Sequence, residues 1–149
     1  MKRKSISKRI QLEVWVRDNW TCRYCNNPVI FSPTLKLLDK ISPTHGYYHT
    51  HGDEKKMIKK FCDLCATVDH KHPHSRGGAH NIDNFATACM NCNMKMNNKT
   101  NEEGKPKLKE KNDKIGQTGW DGMSSLYLKL QRKPDSWTKL LKEIEKQNE

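Results

Sequence analysis

Apolar residues come in short, separated groups along this chain, with polar runs between them. The first group, Ile10-Gln-Leu-Glu-Val-Trp-Val16, fits two periods at once. Ile10, Leu12, Val14 and Val16 alternate as on a half-buried strand, while Ile6, Ile10 and Val14 recur at helical spacing. Leu35 to Ile41 predicts a short apolar helix, flanked by turn signals at Ser32-Pro33 and Ser42-Pro43. Ala66 to His70 and Asn84 to Ala88 are β-rich runs, which predict an antiparallel pair joined by a polar loop holding Pro73, Gly77 and Gly78. Cys89 to Asn97 follows with the helix formers Met90, Met94, Lys95 and Met96. Further on, an apolar patch opens at Trp120-Asp-Gly-Met123 and runs through Leu126, Tyr127, Leu128 and Leu130. Trp137, Leu140, Leu141 and Ile144 then fall at i, i+3, i+4 and i+7 behind Asp135. An N-cap residue ahead of such a stripe predicts a closing helix.

The polar stretches differ in kind. Residues 1–9 are basic. Residues 99–116 are low in apolar side chains and mixed in charge, and read as a linker. The segment of residues 27–61 carries Tyr47-Tyr48-His49-Thr50-His51 followed by Lys55, Lys56, Lys59 and Lys60. Aromatic rings beside cations can stack on and neutralise nucleic acid, and a loop covering the site is an equal reading.

Composition narrows the class. Of 149 residues, 34% are hydrophobic and 30% charged, so the core is small and calls for a staple such as a metal. The net charge of +11 favours a polyanionic partner, DNA or RNA, bound through phosphate contacts; a solvated basic surface is the plainer alternative. No run reaches the length of a membrane span, and the basic start lacks the apolar stretch of a secretory signal. Six cysteines in three Cys-x-x-Cys pairs then point to a reducing, cytoplasmic setting in which such pairs hold metal.

Two kinds of ligand chemistry interleave between Thr67 and Lys95. Cys22, Cys25, Cys89 and Cys92 supply four soft thiolates, a closed tetrahedral set for a structural Zn²⁺. Cys62 and Cys65 are left over: they join His49 and His51 in a second zinc site, replace Cys22 and Cys25 in the first, or stay free. Asp69 and Asn93 offer hard oxygens suited to Mg²⁺ or Mn²⁺. His70 is the candidate general base, since an unperturbed imidazole titrates near ~6.5. On a regular strand it projects to the face opposite Asp69.

These residues, in this order, resemble the HNH endonucleases of the ββα-metal fold. The resemblance rests on Cys22-Arg-Tyr-Cys25, Val68-Asp69-His70, Pro73, Ser75, Gly77-Gly78, Asn84 and Cys89-x-x-Cys92-Asn93-x-Lys95, and spans roughly residues 9 to 98. His70 and Asn84 match the first two signature letters, and Asn93 stands at the third in place of histidine. The resemblance implies an α+β fold: a small ββα nuclease core stapled by zinc, with an N-terminal helix, an insert before the catalytic hairpin and a C-terminal helical tail. Residues 1–98 are then the nuclease domain with its insert at about 27–61, and residues 117–149 a helical extension docking on the core. It implies metal-dependent hydrolysis of DNA, with Asp69 and Asn93 holding Mg²⁺ or Mn²⁺ and His70 activating water. Asn84 would brace the loop and orient the His70 ring, and the products would carry a 5′-phosphate and a 3′-hydroxyl. RNA cleavage, and a non-catalytic zinc module that binds nucleic acid, are the alternatives. Monomer and dimer stay open.

Overall fold

The computed structural model describes residues 5–72, 80–96, 105–111 and 113–147. Pro73, Ser75, Gly77 and Gly78, and residues 99–104 of the linker, lie outside the described residues. The element order is α1 (Lys8–Arg17), α2 (Ser32–Ile41), α3 (Lys59–Asp63), β1 (Ala66–His70), β2 (Phe85–Cys89), α4 (Met90–Met96), α5 (Asp113–Gln117), α6 (Ser124–Leu130) and α7 (Ser136–Gln147). This is the small α+β architecture that the sequence suggests, with a two-stranded antiparallel sheet.

At the N-terminus the helical period wins. Ser7 Oγ accepts from the Ile10 N–H, satisfying one of the donors a helix start leaves open. The helix then buries Leu12, Val14 and Trp15. It stops at Asp18, after which Asn19 and Trp20 take φ of 57° and 53°. That reversal folds Trp20 back, so its N–H donates to the Trp15 carbonyl at 2.8 Å and the two indoles lie 5.5 Å apart.

The insert leaves and returns at one point. Ile30 pairs in parallel with Cys65, the Ile30 N–H donating to Leu64 O and the Ala66 N–H to Ile30 O, each at 2.8 Å. Between these contacts the chain forms α2, a turn-rich loop and α3. Pro33 sits in the first turn of α2, where a missing N–H costs nothing.

A two-stranded sheet is marginal alone. Here α1 and α4 both pack against it, and the tail closes the other side of α1 through α7. Phe31 is the hub of that closure: its ring meets Trp137 at 5.0 Å and Tyr127 at 5.5 Å, both edge-on. Gly122 lets the tail approach. It has φ +70°, and a Cβ there would lie 2.3 Å from Trp20 Cε3. Asp135 caps α7 as expected, accepting from the Thr138 N–H at 2.9 Å. Among the described residues no helix is long and apolar enough to cross a membrane.

Candidate active site

Strand register sets the site. Ala66 faces Cys89, Val68 faces Thr87 and His70 faces Phe85, while Thr67 and Asp69 face Ala88 and Ala86. Directly opposed residues share a face and successive residues alternate. Asp69 and His70 therefore leave β1 on opposite sides.

The four cysteines expected to hold zinc are brought together. The Sγ atoms of Cys22, Cys25, Cys89 and Cys92 all lie within 4.8 Å of one another, and Cys25 and Cys89 are 3.8 Å apart. Zinc–sulfur bonds of ~2.3 Å in a tetrahedron require sulfurs roughly 3.8 Å apart, so the cluster fits such an ion. Backbone N–H groups of Tyr24 and Cys92 point at Cys22 Sγ and Cys89 Sγ, each at 3.4 Å, as thiolate ligands favour. Crowding splits the thiols. A hydrogen bond with Cys89 holds Cys22 down at about 5, while Cys89 is pushed well above the ordinary thiol range by the same contact and by burial. Burial and the neighbouring Cys22 push Cys92 up to about 12. A bound cation is what would let all four ionise together.

Asp18 delivers the first pair to the sheet. Fully buried, its carboxylate accepts from the Thr87 N–H of β2 at 2.9 Å and from Arg17 and Arg23 at 3.0 Å. The Arg23 N–H in turn donates to Thr87 O at 2.9 Å. Burial alone would raise the Asp18 pKa, but the Arg17 and Thr87 hydrogen bonds outweigh it and hold the carboxyl below its usual value.

The second zinc site left open by the sequence is not assembled. Among the described residues, His49, His51, Cys62 and Cys65 do not converge as a ligand group. Instead His49 Nδ1 accepts from the backbone N–H groups of His51 and Asp53, and Cys65 Sγ faces Phe61 O at 3.3 Å. The reason is alternation along the chain. Ala66 shares a face with Cys89, so Cys65, one residue earlier in extended backbone, is directed to the other side. It joins Ile30, Leu35 and Met57 in a separate apolar cluster. For the same reason Cys62 and Cys65 do not replace Cys22 and Cys25.

Of the remaining site residues, Asp69, His70 and Asn84 lie at the end of β1 that faces the start of β2, and Asn93 lies on α4. Asn84 braces the loop: its Oδ1 accepts from the His72 N–H at 2.9 Å and its Nδ2 donates to His72 O at 3.0 Å. The His70 ring is buried, 4.9 Å edge-on from Phe85 and 5.7 Å from His80, rather than turned to open solvent. Asn93 lies half-buried on α4, three residues before the buried Met96. Asp69 Oδ2 accepts from the Tyr24 hydroxyl at 2.6 Å and pairs with Lys105 Nζ at 2.9 Å. Burial and the Asp69 charge push the Tyr24 phenol far above its ordinary value, which keeps it a donor. The carboxylate thus already attracts a cation, and a carboxylate oxygen is the donor type a hard divalent ion takes.

Residues 54–99 match the family model for HNH endonucleases. The chain carries an HNH endonuclease domain. The match runs from the end of the insert through Asp69, His70, Asn84 and Asn93 to just past α4, and supports a nuclease-type function; Cys22 and Cys25 lie outside it. No curated protein and no solved structure matches the chain. Two residues of the HNH neighbourhood escape sequence reasoning. Tyr24 is hidden inside the first Cys-x-x-Cys motif, and Lys105 is one of many lysines in an apparent linker. No local signal marks either one.

Proposed function

We propose that the HNH domain is a divalent-metal-dependent endonuclease that hydrolyses DNA phosphodiester bonds. The observation that carries this reading is the β1–β2–α4 unit, whose Cys89 and Cys92 meet Cys22 and Cys25 of the N-terminal knuckle in one cluster. It bears Asp69 and His70 at the end of one strand and Asn93 on the helix that follows the other.

In this assignment Asp69 and Asn93 hold Mg²⁺ or Mn²⁺. Such an ion supplies positive charge at the phosphate and eases ionisation of water. His70 accepts the proton of the attacking water at a ring nitrogen, and Asn84 fixes the start of the loop beyond His70 through its paired bonds to His72. Because the His70 ring is buried in the free protein, substrate binding has to bring the water to it; catalytic hydrogen bonds often tighten only in the complex. Zinc on Cys22, Cys25, Cys89 and Cys92 is purely structural, since four thiolates leave no open position. The net charge of +11 supports binding of a polyanion.

Plasmid nicking tests the assignment. With Mn²⁺ or Mg²⁺, His70→Ala and Asp69→Ala should each lose about a hundredfold or more in rate while keeping their zinc. Cutting equal to wild type by either variant removes that residue from its role. An RNA strand digested in parallel should survive, and faster cutting of RNA would transfer the activity to the other nucleic acid.

A further inference from the structure

Lys105 is buried in a way few lysines are. Its side chain is 4% exposed, and Nζ lies 2.7 Å from His70 O, 3.1 Å from Lys71 O and 2.9 Å from Asp69 Oδ2. An ammonium has three N–H donors and no acceptor, so these contacts use all of them. The Tyr24 ring lies 5.6 Å from the same nitrogen while its hydroxyl bonds the same carboxylate oxygen. The segment that delivers Lys105 is itself tied down. The Lys109 N–H donates to Arg23 O at 2.6 Å, Arg23 Nε returns a bond to Lys109 O at 2.9 Å, and Leu108 packs against the core.

We propose that Lys105 sets how strongly Asp69 binds a divalent cation, as an internal counter-cation that holds the carboxylate in the metal-free protein and is displaced when metal loads. This rests on the reading of Asp69 as a hard-cation ligand. A single carboxylate, 17% exposed, faces both positive charges. Two cations drawn to it repel each other across a few ångströms, in surroundings where water screens little. Metal binding therefore has to overcome both that repulsion and the three contacts of Nζ. A role for Lys105 as a phosphate contact fits poorly, because all its donors point inward. A purely structural tie between residues 105–111 and β1 predicts something different: its removal would loosen the segment without strengthening metal binding.

Calorimetric titration of zinc-loaded protein with Mn²⁺ separates these. Lys105→Met should bind Mn²⁺ at least tenfold more tightly than wild type, and Asp69→Asn should abolish that binding with either residue at 105. Equal or weaker binding by Lys105→Met, with Asp69→Asn still abolishing it, overturns the counter-cation and leaves Asp69 as a ligand. Mn²⁺ binding indifferent to Asp69→Asn removes both. The wild-type chain provides a second measurement that needs no variant to fold. Displacement of Lys105 releases the segment only ahead of the Lys109–Arg23 bonds, so Mn²⁺ should speed tryptic cleavage after Lys107 severalfold and leave cleavage after Lys109 unchanged. Unchanged or slower cleavage after Lys107 overturns the displacement.

Discussion

Cys22/Cys25 and Cys62/Cys65 share one spacing and end in opposite surroundings. The first pair meets Cys89 and Cys92 in a cluster of metal-binding dimensions; the second drops into an apolar pocket with Ile30, Leu35 and Met57. Both lie close to the β2–α4 junction along the backbone. Cys65 is in fact the nearer neighbour, its carbonyl accepting from the Met90 N–H at 2.9 Å. Proximity therefore does not select a ligand. Side-chain direction does: register places Ala66 on the Cys89 face and turns Cys65 away, while the knuckle reaches the outer edge of β2 through Arg23 and Asp18.

The largest effect expected from this contrast is on folding. Structural zinc contributes about 10 kcal/mol or more in small zinc-dependent domains. Whole domains are stable by only about 5–15 kcal/mol. Cys92→Ser, or stripping the metal with a strong chelator, should unfold the β1–β2–α4 unit, seen as lost cooperative melting by circular dichroism. The double variant Cys62→Ser/Cys65→Ser should keep the zinc content of wild type by elemental analysis and still melt cooperatively. Loss of zinc from that double variant would erase the distinction between the pairs.

Asp18 gives a smaller, sharper test of how the first pair reaches the sheet. Breaking one side of a buried ion pair costs about 3–5 kcal/mol, so Asp18→Asn should lower stability by that order in urea melts. It should also weaken zinc retention, whereas nothing comparable supports Cys62 and Cys65. The folded-state pKa of Asp18 is depressed, so its contribution is fully present above the unfolded value of 3.8 and is lost as pH falls through the lower folded value. Wild type should therefore lose stability relative to Asp18→Asn only in that acid range. A constant difference down to the lowest pH would remove Asp18 from this role.

The contrast also shows what was legible beforehand. The hairpin, the helix after Cys89 and the capped α7 follow from signals within a few residues: alternation, helix formers and an Asp ahead of an apolar stripe. The four-cysteine cluster followed from ligand chemistry, and the helical reading of residues 10–16 was decided by the Ser7 cap and the burial of Trp15. The fate of Cys62 and Cys65 was not legible, since it depends on a strand register that the sequence does not print. Lys105 was hidden for a related reason. Its partners are 34 to 36 residues away, and nothing in a lysine-rich segment distinguishes the one side chain that turns inward.

Thiol reactivity reads the same contrast with the smallest perturbation. Burial, and then the neighbouring Cys62, push the Cys65 thiol up to about 12. A thiol near that value is ionised in only about one molecule in ten thousand at pH 8, and the thiolate is the form that alkylates. The side chain is also nearly sealed, whereas Cys62 is half-buried. Iodoacetamide with peptide mass analysis should therefore label Cys62 first and Cys65 at least tenfold more slowly in the folded, zinc-loaded protein. Cys22, Cys25, Cys89 and Cys92 should stay unlabelled until chelator is added. If Cys65 labels as fast as Cys62, it does not point into the apolar cluster, and the alternation that separates it from Cys89 is not the reason it stays off the metal.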